Sequence, residues 1–148
     1  MSHRVYLGLG SNLGDREENI RRAVMLIGER VGEVLRQSSL LETEPWGFES
    51  SNRFLNAVVC CETELTPHQL LSTTQQIERE LGKRKKHATQ RSQRSMFNVQ
   101  SSMFKDRPID IDILLYDDLT VDEPDLKIPH PLMYQRDFVM IPLREISA

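Results

Sequence analysis

Asp110 and Asp112 stand one residue apart and alternate with Ile109, Ile111 and Ile113. Because a β-strand sends successive side chains to opposite faces, this pattern predicts a strand with one apolar and one acidic face. The two carboxylates would stand side by side, roughly 6–7 Å apart at the backbone. Two like charges at this short distance repel each other, so the pair is stabilised by a cation between them or by protonation of one group. Mg²⁺ is often held by such carboxylates together with substrate phosphates, although a solvated strand face has the same spacing.

Residues 83–107 form a basic segment, with eight Lys or Arg and one acid, in a chain whose net charge is −3. The rest of the chain therefore carries −10. A basic segment on an acidic body indicates a phosphate-bearing partner, or else a solvated loop. The segment is rich in Ser and Gln and has weak periodicity, so we predict a long mobile loop there.

Two other pairs of side chains could recognise a ring. Phe54 and Asn56 share one face of a predicted strand, and an amide beside an aromatic surface suits a flat heteroaromatic ligand. An Asn at a bulge or sheet edge is the alternative. Gln75 and Glu78 lie one turn apart on a predicted helix, where they could hold an amino-bearing ring or simply be solvated.

The elements that must position these residues follow from hydrophobic periodicity and from breakers such as Gly and Pro. Helices are predicted at residues 16–31 and 66–81, and strands at 5–10, 33–41, 53–63 and 109–116. Toward the C-terminus we predict a short strand at 119–121 and a helical segment at 136–143 that is interrupted at Pro142.

This β-α-β-β-α-β order is the ferredoxin-like arrangement, an α+β fold in which an antiparallel sheet carries both helices on one face. A C-terminal hairpin and helix extend it. The length predicts a single domain over residues 1–148. No apolar run is long enough for a membrane span, and the N-terminus lacks the apolar stretch of a signal peptide. The adjacent Cys60 and Cys61 predict neither a disulfide framework nor a zinc site, so we expect a reducing, cytoplasmic setting.

Six short stretches, distributed over nearly the whole chain, carry a resemblance. They are residues 6–15 (YLGLGSNLGD), 43–47 (TEPWG), 54–57 (FLNA), 107–114 (RPIDIDIL), 128–131 (IPHP) and 136–139 (RDFV). Each is weak alone. Together and in this order they resemble the 6-hydroxymethyl-7,8-dihydropterin pyrophosphokinases of folate biosynthesis.

The resemblance implies transfer of a diphosphate from ATP, the co-substrate, to the hydroxymethyl group of a reduced pterin, with release of AMP. Asp110 and Asp112 would bind two Mg²⁺ ions that bridge the triphosphate, and Arg107 would act with them on the phosphates. Such a transfer needs positioning and charge neutralisation more than a covalent intermediate. The expected partners are small molecules, with no nucleic acid and no membrane, and the expected state is a monomer.

The resemblance also implies two sets of binding residues. The pterin ring would stack between Phe54 and Phe138, and Asn56 would read its edge. The remaining pterin residues would be Thr43, Pro45 and Trp46. The nucleotide would be bound by Gln75, Glu78, Lys83, Lys85, Arg107, Ile113, Lys127, His130 and Arg136.

The basic segment departs from the family pattern in two ways. Lys83 and Lys85 stand where Arg is usual, which keeps the charge but loses the bidentate fork. The family's Trp-Gly-Pro segment before the arginine that matches Arg107 is replaced by residues 103–106 (MFKD). Phe104 is therefore the candidate for closing over the substrate.

Two other functions compete with this interpretation. An RNA-binding module on the same fold would use the basic loop for phosphates and Phe54 for base stacking. The strands lack the aromatic pair of that class, however, and the paired aspartates would repel a nucleic-acid backbone. A non-catalytic regulatory domain would bind the same small ligands without turnover.

Overall fold

The computed structural model describes residues 2–43, 53–83 and 108–147. The helices of these segments are α1 (Arg16–Arg30), α2 (Pro67–Lys83) and α3 (Asp137–Ile146), with a 3₁₀ turn at Met133–Gln135. The strands are β1 (His3–Ser11), β2 (Gly32–Gln37), β3 (Leu41–Thr43), β4 (Phe54–Thr63), β5 (Asp110–Tyr116), β6 (Val121–Glu123) and β7 (Leu126–Ile128).

The main sheet has the strand order β2-β4-β1-β5, and β3 pairs with β4 beyond the end of β2. All of these pairs are antiparallel. β1 is therefore central, with β4 on one side and β5 on the other. This order confirms the ferredoxin-like α+β fold predicted from the sequence. β6 and β7 form a separate antiparallel hairpin.

The larger hydrophobic cluster lies between the sheet and helices α1 and α2. Val5, Leu7 and Leu9 alternate along β1 and pack with Ile20 and Ile27 of α1 in this cluster. Such alternation in a strand, matched by helical spacing in the helix, brings both apolar faces together. The predicted placement of these two helices on one face is therefore confirmed.

A second cluster lies on the opposite face of the sheet, where α3 packs. It joins Val58 and Cys60 of β4 with Val139 and Leu143 of α3. Cys61, the next residue of β4, belongs to the larger cluster instead. The two cysteines thus face opposite sides of the strand, and the C-terminal helix covers part of the face that the other helices leave open.

The turn between α1 and β2 requires a glycine. Gly32 has a φ of 156°, and a Cβ built there would lie 1.9 Å from the backbone oxygen of Glu62. The start of α1 is fixed by Asp15, whose Oδ1 accepts a hydrogen bond from the backbone N–H of Glu18. An aspartate at this position satisfies a helix donor that has no partner within the helix.

Three differences from the sequence prediction go beyond small shifts at the ends of the elements. The single strand predicted at 33–41 is broken, because Ser38 exchanges hydrogen bonds with the backbone of Val58. The predicted strand at 119–121 is displaced to Val121–Glu123, where it pairs with β7. The predicted interruption at Pro142 is wrong, since α3 continues through it. Burial of the apolar face of α3 outweighs the one helix bond that a proline removes.

The predicted loop and lid residues from position 84 to 107, including Phe104, lie outside the described residues. None of the helices in the described segments is long and apolar enough to cross a membrane. The single domain over residues 1–148 stays a prediction.

Candidate active site

Asp110 and Asp112 lie on β5, directly opposite Gly10 and Gly8 of β1. Both aspartates line a pocket on the sheet face that is opposite α1 and α2. The intervening Ile111 points the other way, into the larger hydrophobic cluster. The two carboxylates therefore share one face of a strand, as the alternation predicted, and Asp110 is only 6% exposed.

We call this pocket the inner pocket. It lies between β1, β4, β5 and α3. Its lining residues are Gly8, Leu9, Gly10, Thr43, Phe54, Asn56, Ala57, Val58, Asp110, Asp112, Arg136, Phe138 and Val139. The structure thus brings together the two aspartates and four of the residues assigned to the pterin.

Asn56 is held in a fixed orientation at the wall of the inner pocket. Its Nδ2 donates to Thr43 Oγ1 at 2.8 Å and to the backbone oxygen of Leu41 at 3.1 Å. Its Oδ1 faces Gly10, where a Cβ would come within 3.2 Å of it. An amide fixed in this way presents a defined hydrogen-bonding pattern beside the Phe54 ring, which suits the edge of a polar heterocycle.

The floor of the inner pocket is the backbone of β1 at Gly8 and Gly10. A Cβ at position 10 would lie 3.4 Å from the Phe54 ring, and one at position 8 would lie 3.4 Å from the Leu114 side chain. The absence of side chains lets a flat ligand approach the strand closely. This role of Gly8 and Gly10 was not predicted, although glycines at alternate positions of a strand are a visible signal in the sequence.

Arg136 is the large cation of the inner pocket, and it is 1% exposed. Burial lowers the pKa of its guanidinium, while the charges of Asp112 and Asp110 raise it. The guanidinium carbon also lies 5.6 Å from the centre of the Phe138 ring, within cation–π range. The resemblance implies a nucleotide role for Arg136, and the structure places this residue beside the aspartates and the two aromatic rings.

A second pocket, which we call the edge pocket, opens on the outer side of β5. Its lining residues are Leu71, Ile111, Asp112, Ile113, Pro124, Asp125, Leu126, Lys127, His130 and Pro131. Three residues assigned to the nucleotide, Ile113, Lys127 and His130, come together here. Asp112 lines both pockets, so β5 is the wall between them.

His130 is neutral in the folded protein at physiological pH. Burial, and secondly the charge of Arg136, lower its pKa from the model-compound value of 6.5 to about 4. The backbone N–H of Leu132 donates to its Nδ1 at 3.3 Å. Because Nδ1 is the acceptor, the ring proton lies on Nε2, which makes Nε2–H a hydrogen-bond donor.

Two other residues assigned to the nucleotide, Gln75 and Glu78, line neither pocket. Gln75 is exposed, and Glu78 accepts a hydrogen bond from the backbone N–H of Ile111. Lys83 is the last residue of α2. Four predicted site residues lie outside the described residues. They are Pro45, Trp46, Lys85 and Arg107.

A contact that the sequence did not predict joins the hairpin to the start of α2. His68 Nε2 lies 3.0 Å from Glu123 Oε1 and 3.6 Å from Asp125 Oδ1. All three side chains are exposed. This contact holds the wall of the edge pocket against α2, because Asp125 also lines that pocket.

A family model for 7,8-dihydro-6-hydroxymethylpterin-pyrophosphokinase (HPPK) matches residues 6–148 of the chain. The chain belongs to the HPPK family. The resemblance found in the sequence is thereby confirmed.

Curated relatives agree with this membership. A 2-amino-4-hydroxy-6-hydroxymethyldihydropteridine pyrophosphokinase of Porphyromonas gingivalis is 49% identical over 97% of this chain and 90% of the relative. The protein of the same name from Bacillus subtilis is 40% identical over 99% of this chain and 79% of the relative.

Solved structures support the fold. The wild-type HPPK-DHPS of Plasmodium falciparum with SDX-DHP superimposes with a TM-score of 0.69 at 15% identity. The match covers 97% of this chain and 40% of the Plasmodium chain, so this HPPK-family chain spans about two fifths of that longer protein.

Proposed function

We propose that this protein transfers diphosphate from MgATP to the hydroxymethyl group of 6-hydroxymethyl-7,8-dihydropterin. The products are the pterin diphosphate and AMP, and the reaction belongs to folate biosynthesis. Membership of the HPPK family supports the reaction. The structural observation that carries the proposal is that Asp112 lines both pockets. A nucleotide in the edge pocket and an acceptor hydroxyl in the inner pocket would therefore meet at this residue.

The inner pocket is proposed as the pterin site. Phe54 and Phe138 supply aromatic surface for the ring. The amide of Asn56 and the Thr43 hydroxyl, which are hydrogen-bonded to each other, would form hydrogen bonds with the edge of the ring. Stacking and burial supply affinity, while a polar group left unpaired in the pocket would be costly. The ring would lie on the backbone of Gly8 and Gly10. Pro45 and Trp46 are proposed to complete this site.

The edge pocket is proposed as the nucleotide site. Ile113 offers apolar surface beside the base, Lys127 offers a cation, and neutral His130 offers its Nε2–H to an oxygen. Gln75, Lys83, Lys85 and Arg107 stay as proposed nucleotide ligands from the family pattern. Arg136 is better placed to meet the transferred phosphates than the base, since it lines the inner pocket beside the aspartates.

Asp110 and Asp112 are proposed as the magnesium ligands. Two carboxylates on one face of a strand are the oxygen donors that Mg²⁺ prefers, and Arg136 limits their mutual repulsion. When bound, Mg²⁺ neutralises the triphosphate and makes its β-phosphorus easier to attack. The aspartates orient the reacting groups, and Arg136 donates to phosphate oxygens as negative charge develops on them. We propose that two Mg²⁺ ions bind, and a metal titration would measure this number.

The proposal is tested by incubating the protein with MgATP and 6-hydroxymethyl-7,8-dihydropterin and separating the products. We expect AMP and a pterin diphosphate in equal amounts. ADP and a pterin monophosphate would instead indicate an ordinary kinase. Binding of both ligands without any product would indicate the non-catalytic regulatory domain. The monomeric state and the cytoplasmic setting stay predictions, and light scattering after gel filtration measures the former.

A further inference from the structure

We propose that Glu78 is a positioning residue for the two aspartates of β5. Its carboxylate holds the peptide group between Asp110 and Ile111 and thereby fixes the spacing of the acidic pair. The inference rests on the proposed function, because it takes Asp110 and Asp112 as the magnesium ligands. It replaces the nucleotide-binding role that the family resemblance implied for Glu78.

The contact that carries the proposal is a hydrogen bond from the backbone N–H of Ile111 to Oε2 of Glu78. The distance between the nitrogen and the oxygen is 2.7 Å. A hydrogen bond to an ionised carboxylate is short and about twice as strong as one between neutral groups. Ile111 is the residue between Asp110 and Asp112, so the bond acts at the centre of the acidic pair.

The position of β5 in the sheet explains what this bond does. β5 is the last strand of the main sheet in the described residues, so only one side of its backbone pairs with β1. The outer edge of such a strand can twist and shift more easily than a central strand. Glu78 ties this edge to α2 at Ile111, whose side chain is already buried against the helical layer. The backbone and side chain of one residue are thus both fixed.

The direction from which Glu78 approaches argues against a role as a direct ligand. Glu78 belongs to α2 and reaches β5 from the helical side, whereas both aspartates line the inner pocket on the opposite face. Among the residues that the structure describes, Glu78 and the aspartates do not form a cluster with all ligand atoms within 4.8 Å of one another. Glu78 also lines neither the inner pocket nor the edge pocket.

The test compares Glu78→Ala with Glu78→Gln, because glutamine keeps an oxygen that can accept the Ile111 N–H. In Glu78→Ala we expect the Ile111 amide to exchange with solvent faster. We also expect Mn²⁺ binding, measured by electron paramagnetic resonance with a non-hydrolysable ATP analogue present, to weaken about 10-fold to 100-fold. Glu78→Gln should stay close to wild type in both measurements.

The matched control is Glu80→Gln, on the same helix. Glu80 forms an ion pair with Arg30 instead of contacting β5. This variant should change neither Mn²⁺ binding nor the exchange of the Ile111 amide. Unfolding midpoints of all variants show how much of any effect comes from lost stability.

Binding of the analogue in EDTA separates positioning from direct contact. Weaker metal-free binding by Glu78→Ala, with unchanged Mn²⁺ affinity, would mean that Glu78 touches the nucleotide, and the proposal would be wrong. A lower unfolding midpoint with unchanged Mn²⁺ affinity would make Glu78 a structural residue only, which also overturns it. If the wild-type protein forms no AMP, the proposed function fails, while the Mn²⁺ and exchange data still decide the role of Glu78.

Discussion

The inner pocket and the edge pocket lie on two sides of β5 and are built in different ways. The inner pocket rests on strands of the main sheet, and Phe54, Asn56 and Asp110 in its wall are 8%, 3% and 6% exposed. The edge pocket is closed by β6 and β7, which have three residues each, and its residues Asp125 and Lys127 are exposed. One pocket is part of the core region, and the other is part of the surface.

The contacts that hold the walls of the two pockets also differ between a buried and an exposed setting. The hairpin is fastened by two exposed polar contacts, one between His68 and Glu123 and an ion pair between Lys127 and Asp122. Solvent screens such pairs, so they resist displacement weakly. Asn56, in contrast, is fixed by two hydrogen bonds in a buried strand. The difference suits a preorganised site for a rigid ring beside an adaptable site for a flexible nucleotide.

The largest effect is expected where the two pockets meet, at Asp112. Asp112→Ala should lower kcat by at least about 10²-fold to 10³-fold, because it removes charge stabilisation at the transferred group. Asp110→Ala should have a similar effect on Mg²⁺ dependence. Steady-state kinetics over a range of Mg²⁺ concentrations measures both. Asp118→Ala, in the exposed turn after β5, is the control, and wild-type rates in either active-site variant would contradict the metal role.

The inner pocket alone is tested by Gly10→Ala. The added Cβ would press on Asn56 Oδ1 at 3.2 Å and on the Phe54 ring at 3.4 Å. Because the walls there are rigid, we expect the KM for the pterin to rise about 10-fold to 100-fold, with the KM for ATP unchanged. Gly82→Ala, whose Cβ would meet no atom of the described residues within 4 Å, is the matched control. Equal changes in both KM values would show that the two pockets are not independent.

His130 is a half-buried residue of the edge pocket, and its titration is expected to affect stability. Its folded-state pKa of about 4 lies below the unfolded value near 6.5, so acid protonates the unfolded chain first. Its contribution to stability is therefore present above pH 6.5 and is lost as pH falls toward 4. Between pH 7 and pH 5 the loss should be roughly 1 to 2 kcal/mol.

Urea unfolding of wild type and of His130→Gln at both pH values measures this contribution. The glutamine variant should lose less stability on acidification than wild type does. An identical pH dependence in the two proteins would mean that His130 is not held neutral by burial.

The smallest effect is expected at the exposed wall, from Lys127→Ala. Lys127 Nζ donates a hydrogen bond of 2.7 Å to Asp122 Oδ1, and Lys127 lines the edge pocket. We expect the KM for ATP to rise by about threefold, with no change in the KM for the pterin, because exposed charges contribute little. Lys127→Arg should restore the value. A 100-fold change would show that the edge pocket is as rigid as the inner one.

Local periodicity was sufficient for the parts of the site that lie on one strand. The shared face of Asp110 and Asp112, and that of Phe54 and Asn56, follow from the alternation of side chains along β5 and β4. The start of α1, predicted at residue 16, is fixed in the structure by a short-range hydrogen bond at Asp15. These features depend on neighbours within a few residues, which a single sequence contains.

The parts that were missed depend on residues far apart in sequence. The bond between Glu78 and Ile111 spans 33 positions, and no local pattern distinguishes that glutamate from a solvated one. The position of Arg136 beside the aspartates depends on how α3 packs on the sheet, which no local pattern contains. The break at Ser38 likewise depends on Val58 of the neighbouring strand.

Cys60 and Cys61 lie on opposite faces of the main sheet, so the reactivity of each thiol reports on the helices that cover one face. One thiol is covered by α3 and the other by α1 and α2, and both are 2% exposed or less. Burial raises the pKa of the Cys61 thiol to about 12, so it reacts only after its covering helices move away. Mass spectrometry of the protein during alkylation would therefore report which side of the sheet opens first, with no engineered probe.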